Sequence, residues 1–258
     1  MPEFCTLERD GRLFIVTMKR PEVMNALHTA ANNELAEAFD EFASDPELWV
    51  AIITGAGDRA FSAGNDLKAT ASGGGDLAAS PMGFGGLTGR YDLWKPVIAA
   101  VNGVAMGGGF EIALAADLII ASRTATFALP EPRVGLAALA GGMQRLPRQI
   151  GLKHAMGMLL TGRRVSADEG RELGFVNEVV EPDELMHAAR RWAEMILECA
   201  PLSVRASKQV AMQSLDVPSL QEACSKHYPA VGELLRSEDF REGPRAFAEK
   251  RPPVWKGR

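Results

Sequence analysis

Apolar residues in the first 180 positions cluster in short continuous runs that alternate with helical spacing, and after about residue 180 only helical spacing remains. The chain opens as a hairpin, with the turn dipeptide Asp10-Gly11 between Thr6-Leu7 and the run Leu13-Phe14-Ile15-Val16. Arg20-Pro21 ends the second strand. Residues 28–44 place Leu35, Ala38, Phe39 and Phe42 on one face, which predicts a helix. Residues 49–54 read as a buried strand stopped by Gly55, and residues 96–101 as another. Gly107-Gly108-Gly109 opens an apolar helix over 110–116, and two more short strands are expected at 118–121 and 125–129. Between residues 69 and 89, Gly73-Gly74-Gly75, Gly83, Gly85, Gly86 and Pro81 predict a mobile loop that buries little.

From Gly141 onward the pattern becomes helical. Ser166-Ala167-Asp168-Glu169 has the spacing of a helix-opening capping box. A last strand is expected at 176–180, followed by helices near 183–199, 202–213, 219–235 and 243–250. Alternating strands and helices followed by helices alone imply an α/β core with a helical C-terminal extension. No sequence repeat or low-complexity linker interrupts it.

Composition narrows the class. A hydrophobic fraction of 47% in 258 residues excludes a disordered chain and fits one large domain or one domain with an appendage. Cys5, Cys199 and Cys224 are odd in number and widely spaced, which argues against a disulfide framework or a structural zinc site. No apolar run reaches the ~18–20 residues of a membrane span, and the first residues lack the apolar stretch of an export signal. A cytoplasmic location is the expectation. The net charge of -5 is uneven: residues 200–258 hold ten basic and seven acidic side chains, and residues 241–258 hold six and two. A basic tail can face an anionic ligand or an acidic neighbour, or simply be solvated. Nucleic acid is not expected, because the main body is acidic and only Phe247 and Trp255 accompany the tail.

Candidate chemistry lies in two places. Gly55-Ala56-Gly57-Asp58-Arg59-Ala60 matches a dinucleotide fingerprint, but no amphipathic helix follows it and no βαβ unit starts there. Gly107-Gly108-Gly109 at a helix start leaves backbone N–H groups unobstructed, an arrangement that can hold a developing oxyanion. Glu111 lies one turn into that apolar helix, and Glu131 stands between Pro130 and Pro132. Two carboxylates aimed at one pocket suit proton transfer to and from a water molecule. His28, His154, His187 and His227 have no metal-ligand spacing, and no metal is expected.

Together these residues resemble the crotonase superfamily of enoyl-CoA hydratases and isomerases. The likeness runs from Arg20-Pro21 and Asn25-Ala26-Leu27 to the last residues. Its most specific parts are Phe61-Ser62-Ala63-Gly64-Asn65-Asp66-Leu67 and Lys95-Pro96-Val97-Ile98-Ala99-Ala100-Val101-Asn102-Gly103, the latter running into Gly107-Gly108-Gly109-Phe110-Glu111. Leu129-Pro130-Glu131 with Gly135, and Gly141-Gly142-Met143-Gln144-Arg145-Leu146, complete the set. Within the family, Ser62 to Ala69 and the tail from His227-Tyr228-Pro229 to Arg258 look like the carnitinyl-CoA dehydratase branch.

The resemblance implies a spiral of ββα turns over residues 1–195 and a C-terminal helical region, 196–258, that builds trimers or hexamers. It implies an acyl-CoA thioester substrate and no cofactor beyond the CoA that the substrate carries. The oxyanion hole falls on the backbone N–H groups of Ala63 and Gly108. Glu111 would activate water for attack at C3, and Glu131 would give the proton to C2. Contacts to substrate and CoA fall on Asn25, Ala26, Gly64, Asn65, Asp66, Leu67, Lys68, Phe247 and Lys250. The implied function is an enoyl-CoA hydratase, with carnitinyl-CoA dehydratase or a non-catalytic CoA-binding relative as alternatives. One departure stands out: Leu136-Ala137-Ala138-Leu139-Ala140 replaces the family's usual proline and small residue, and it places Leu139 where backbone normally approaches the catalytic water.

Overall fold

The longest apolar runs become neighbouring strands of one sheet, and their alternation divides the core into two layers. The computed structural model describes residues 2–71 and 81–258. The strands are β1 (Cys5–Asp10), β2 (Leu13–Met18), β3 (Val50–Gly55), β4 (Ala60–Ser62), β5 (Val97–Val101), β6 (Val104–Met106), β7 (Leu118–Ser122), β8 (Thr126–Ala128), β9 (Val165–Ser166) and β10 (Glu178–Val180). The helices are α1 (Thr29–Ser44), α2 (Leu67–Ala71), α3 (Gly108–Ala115), α4 (Gly142–Ile150), α5 (Leu152–Thr161), α6 (Ala167–Leu173), α7 (Leu185–Leu197), α8 (Pro201–Ser214), α9 (Leu220–Ser225), α10 (Pro229–Arg236) and α11 (Glu238–Glu249).

The larger sheet runs β1-β2-β3-β5-β7-β10, parallel except for the β1–β2 hairpin, and the smaller runs β4-β6-β8-β9. Successive turns of chain add one strand to each: β3 then β4, β5 then β6 and α3, β7 then β8. Helices cover both faces of the larger sheet, so its central strands are buried on both sides and read as continuous apolar runs. Phe14, Val16, Ala51, Ile53, Val97, Ala99 and Ile119 face the layer shared with α1, α3 and the smaller sheet. The intervening Leu13, Ile15, Val50, Ile52, Ile98, Ala100 and Ile120 face Leu185, Ala188, Ala189 and Ala193 of α7. The period of two along each strand thus sets both layers.

Three expectations need correction, and three short strands carry no expectation at all. β4, β6 and β9 are two or three residues long, too short to leave a periodic signature. The helix expected at 219–235 is two helices, because Pro229 opens α10 and Tyr228 before it is extended. The last helix begins at Glu238, where Ser237 caps it by accepting from Phe240 N–H at 3.0 Å, and it continues through Pro244. Gly73-Gly74-Gly75 lies outside the described residues, but residues 84–88 do not form the loose loop expected: Gly85, Gly86, Leu87 and Thr88 are buried. Gly85 N–H donates to Asn32 Oδ1 at 2.7 Å, and a side chain on Gly86 would strike the α1 backbone at Ala36.

Beyond α11 the chain folds back. Asp239, 2% exposed, accepts the N–H groups of Lys256 and Gly257 at 2.8 Å each. Trp255 packs against the α7 layer, with its indole N–H on Glu198 O. Among the described residues no helix is long and apolar enough to cross a membrane, and no group of three or more His, Cys, Asp or Glu could hold a metal ion. Asp239→Ala should release the segment after α11. Urea unfolding should show a loss of about 2 kcal/mol, the scale of hydrogen bonds to a charged group, and trypsin should cut faster after Lys250 and Lys256. An unchanged midpoint with unchanged cleavage would remove Asp239 from this role.

Candidate active site

The site begins where the smaller sheet brings the segment after β4 against the start of α3. Gly109 makes this approach possible, since a Cβ there would lie 2.1 Å from Ser62 O. Gly64, at φ +85°, has Met106 O and Gly108 N in the space where a side chain would stand. Gly107 caps α3 at φ +53°, and Gly108 N–H is one of the first-turn donors with no intrahelical acceptor.

On the other strand of this approach, Ala63 N–H is already spent. It donates to Met24 O at 2.9 Å, so the oxyanion role expected of it conflicts with the geometry. Leu27 N–H donates to Gly64 O at 2.8 Å and Asp66 N–H to Leu27 O at 3.0 Å, forming a parallel bridge centred on Asn65. In such a bridge the central residue's own N–H lies on the side away from the partner strand.

Asn25 and Ala26 already make contacts within the fold. Asn25 is fully buried at φ 53°; its Oδ1 accepts from Arg20 N–H, and its Nδ2 donates to Ala56 O and Ala60 O. It shapes the bend, and Ser62 Oγ donates to its carbonyl. Ala26 is buried, with Arg20 Nη1 on its carbonyl. Asp66 pairs with Arg20 at 3.0 Å, whereas Leu67 and Lys68 on α2 are exposed. The Gly55–Ala60 turn, which superficially matches a nucleotide fingerprint, is clamped by Asn102 Nδ2 on Gly55 O, Gly57 O and Ala60 O and leads into β4.

Glu111 is 3% exposed, and its Oε1 accepts from Gly142 N–H at 2.8 Å. Burial pushes its carboxyl up to about 7. The Gly142 N–H opposes that shift, the Glu131 charge adds to it, and the Ala140 N–H and the Arg145 guanidinium oppose it. Glu131 Oε1 lies over Gly107, close enough that a Cβ there would meet it at 2.8 Å. Its Oε2 is buried with no hydrogen-bond partner among the described residues. Burial raises the Glu131 pKa as well. The two acids proposed from sequence therefore sit at one end of α3, near enough to feel each other's charge.

Beside them opens a cavity of about 550 Å³. Phe84, Tyr91, Leu139, Met212 and Leu215 supply apolar walls, and Arg145, Arg148 and Asp216 supply charge. The Phe84 ring stands where a side chain on Gly108 would be. Leu139 is 77% exposed, and its N–H is bonded to Ala137 O at 2.9 Å rather than held ready for water. Met212, Leu215 and Asp216 carry no local sequence signal as pocket groups, because α8 and the residues after it reach the site only through tertiary packing.

The tail differs from expectation. Arg245 and Arg251 pair with Glu249, Arg251 also with Glu242, and Lys256 and Arg258 with Glu238. Most of its positive charge is thus consumed locally. Phe247, 86% exposed, and Lys250 remain outward, and no described contact brings either to Glu111 or Glu131.

A profile of the enoyl-CoA hydratase/isomerase family matches residues 8–258. A carnitinyl-CoA dehydratase from Salmonella typhi is 48% identical over 265 residues, covering all of both chains. The crystal structure of an enoyl-CoA hydratase from Mycobacterium tuberculosis superposes with TM-score 0.93 at 40% identity, and one from Mycobacterium marinum with 0.92 at 40%, each covering all of both chains. The strands, helices and paired carboxylates described above are arranged on a crotonase fold, and the chain belongs to the enoyl-CoA hydratase/isomerase family.

Proposed function

We propose that this protein catalyses reversible syn addition of water across the 2,3 double bond of an acyl-CoA thioester. The observation that carries this reading is the pair Glu111, buried, and Glu131, half-buried, whose charge acts on Glu111 at the N-terminus of α3. In hydration, ionised Glu111 takes a proton from water as its oxygen bonds C3, and protonated Glu131 delivers a proton to C2. Dehydration reverses both transfers. The thioester oxygen gathers negative charge between these steps, and donors aimed at that charge lower the barrier. Gly108 N–H is one such donor. In place of Ala63 we assign the second to Asn65 N–H, on the side of its bridge away from Leu27.

The reading requires no group beyond the CoA carried by the substrate, and is compatible with a cytoplasmic enzyme. The exposed stretch through Leu67 and Lys68 would flank the CoA. Phe247 and Lys250 would reach it from a neighbouring copy, with residues 196–258 as the assembling region of a trimer or hexamer. A narrower reading, dehydration of carnitinyl-CoA, draws on the relatives' name and on Phe84, Tyr91 and Asp216 in the cavity. Aromatic faces and a carboxylate attract a quaternary ammonium, whereas Arg145 and Arg148 in the same walls repel it. Competition between crotonobetainyl-CoA and plain enoyl-CoAs separates the two.

Purified protein should consume crotonyl-CoA or a longer enoyl-CoA, followed as loss of the conjugated thioester absorbance; no consumption of any enoyl-CoA, crotonobetainyl-CoA included, defeats the reading. Glu111→Gln and Glu131→Gln should each slow turnover by about 10²–10⁴-fold, the scale of general acid–base groups. Both directions run on the singly protonated pair, so kcat/KM should be bell-shaped in pH. Below the acid limb both groups are protonated and no base remains; above the alkaline limb both are ionised and no acid remains. With Glu131 ionised, Glu111 keeps its proton until about 7, which places the free enzyme's alkaline limb there. A profile flat from about pH 5 to about pH 9 contradicts the assignment. Lys250→Ala should raise KM for the CoA thioester by about tenfold or less with kcat unchanged, as expected for one exposed phosphate contact. An unaltered KM excludes that contact.

A further inference from the structure

We propose that Arg145 is a positioning residue that locks the Glu111 carboxylate to the opposite wall of the substrate cavity. This rests on the hydratase reading above and assigns the site a component that neither the paired glutamates nor the oxyanion donors supply.

The argument follows the hydrogen bonds around the cavity. Glu111 is held by the Gly142 N–H of the turn entering α4, at 2.8 Å, and its carboxyl pKa is also lowered by the Ala140 N–H of the same turn. That turn has no side-chain cap; Gly141 ahead of α4 is at φ +102°. What braces it is Arg145, one turn into the helix. Its Nη1 donates to Ala140 O at 3.4 Å and packs so closely on Gly141 that a Cβ there would lie 2.2 Å from it. Its Nη2 donates to Thr88 O at 2.8 Å, across the cavity. The guanidinium also covers the Tyr91 ring, 5.6 Å from its centroid.

Thr88 in turn fixes Phe84. Its Oγ1 accepts from Phe84 N–H at 2.7 Å, and its own N–H donates to Phe84 O at 3.3 Å. The Phe84 ring lies against Gly108 at the start of α3. One planar fork therefore joins the turn that holds the base to the turn that walls the oxyanion donor. Arg suits this task because its donors have fixed divergent directions, which a lysine ammonium cannot reproduce. Glu131 and Arg145 both act on the Glu111 carboxyl, with opposite sign.

The test compares wild type, Arg145→Lys and Arg145→Met. Wild-type turnover of an enoyl-CoA is measured first, then kcat, KM and pH profiles, with hydrogen exchange at the amides of residues 138–142 and 84–91 in all three. Arg145→Met should lower kcat by about 10–100-fold, the cost of misplacing a catalytic group by about 1 Å. KM should change little, and both pH limbs should move upward, because loss of a nearby positive charge favours the protonated carboxyls. Arg145→Lys should leave the limbs in place and recover part of kcat. Both turns should exchange faster in Arg145→Met. A rise in KM with unchanged kcat would make Arg145 a substrate contact and overturn the proposal. So would a lower melting temperature with wild-type kcat and limbs in the folded fraction, or unchanged exchange at both turns. If wild type turns over no enoyl-CoA, the hydratase reading falls; the exchange data then decide the brace alone, faster exchange supporting it and unchanged exchange rejecting it.

Discussion

The site depends on how closely two backbones approach. Gly109 lets the first turn of α3 press on Ser62 O, and Gly64 accepts Met106 O and Gly108 N where any other residue would carry a side chain. This contact sets the distance between the segment after β4 and the helix N-terminus. It also sets where Glu111 emerges, because Glu111 follows Gly109 by two residues on the same short helix. The spiral connection of β4 and β6 delivers the two backbones side by side, and the larger sheet with its two apolar layers keeps them there.

A carboxylate in such a place works against stability. Glu111 carries a pKa raised on folding from 4.5 to about 7, so the native state favours its protonated form. The penalty is absent well below 4.5, grows as pH rises toward 7, and is complete above that at about 3 kcal/mol. Two backbone N–H groups limit the cost. The unpartnered Oε2 of Glu131 adds a second unfavourable feature at the same spot. Local rules of burial are broken where chemistry is done, and the surrounding core compensates.

How much of this was legible in the sequence follows from physical range. β2, β3, β5 and β7 were readable because burial on both faces demands continuous apolar residues. Glu111 was readable because a charge inside an apolar helix is anomalous, and Glu131 because prolines flank it. Ala63 was misplaced in role because hydrogen-bond direction depends on the partner strand, here Met24, which no local pattern reveals. Residues 84–88 read as loose loop because glycines signal turns equally when the turn is exposed and when it presses on a helix such as α1. The basic tail promised an open patch, but its charges meet Glu238, Glu242 and Glu249 only after α11 folds.

The segment held by Asp239 also bears on how the chain is made. Trp255 lies in the α7 layer, and Gly257 packs against Trp49 at the start of β3. About 200 residues separate these partners in order of synthesis. The layer containing α1 and α3 can close while the ribosome is still working, whereas the layer beneath α7 keeps part of its apolar surface open until residues 255–257 arrive. Partly built chains expose such surface to other partly built chains. The side of the sheet under α7 is therefore the later of the two layers to be fully covered as the chain emerges.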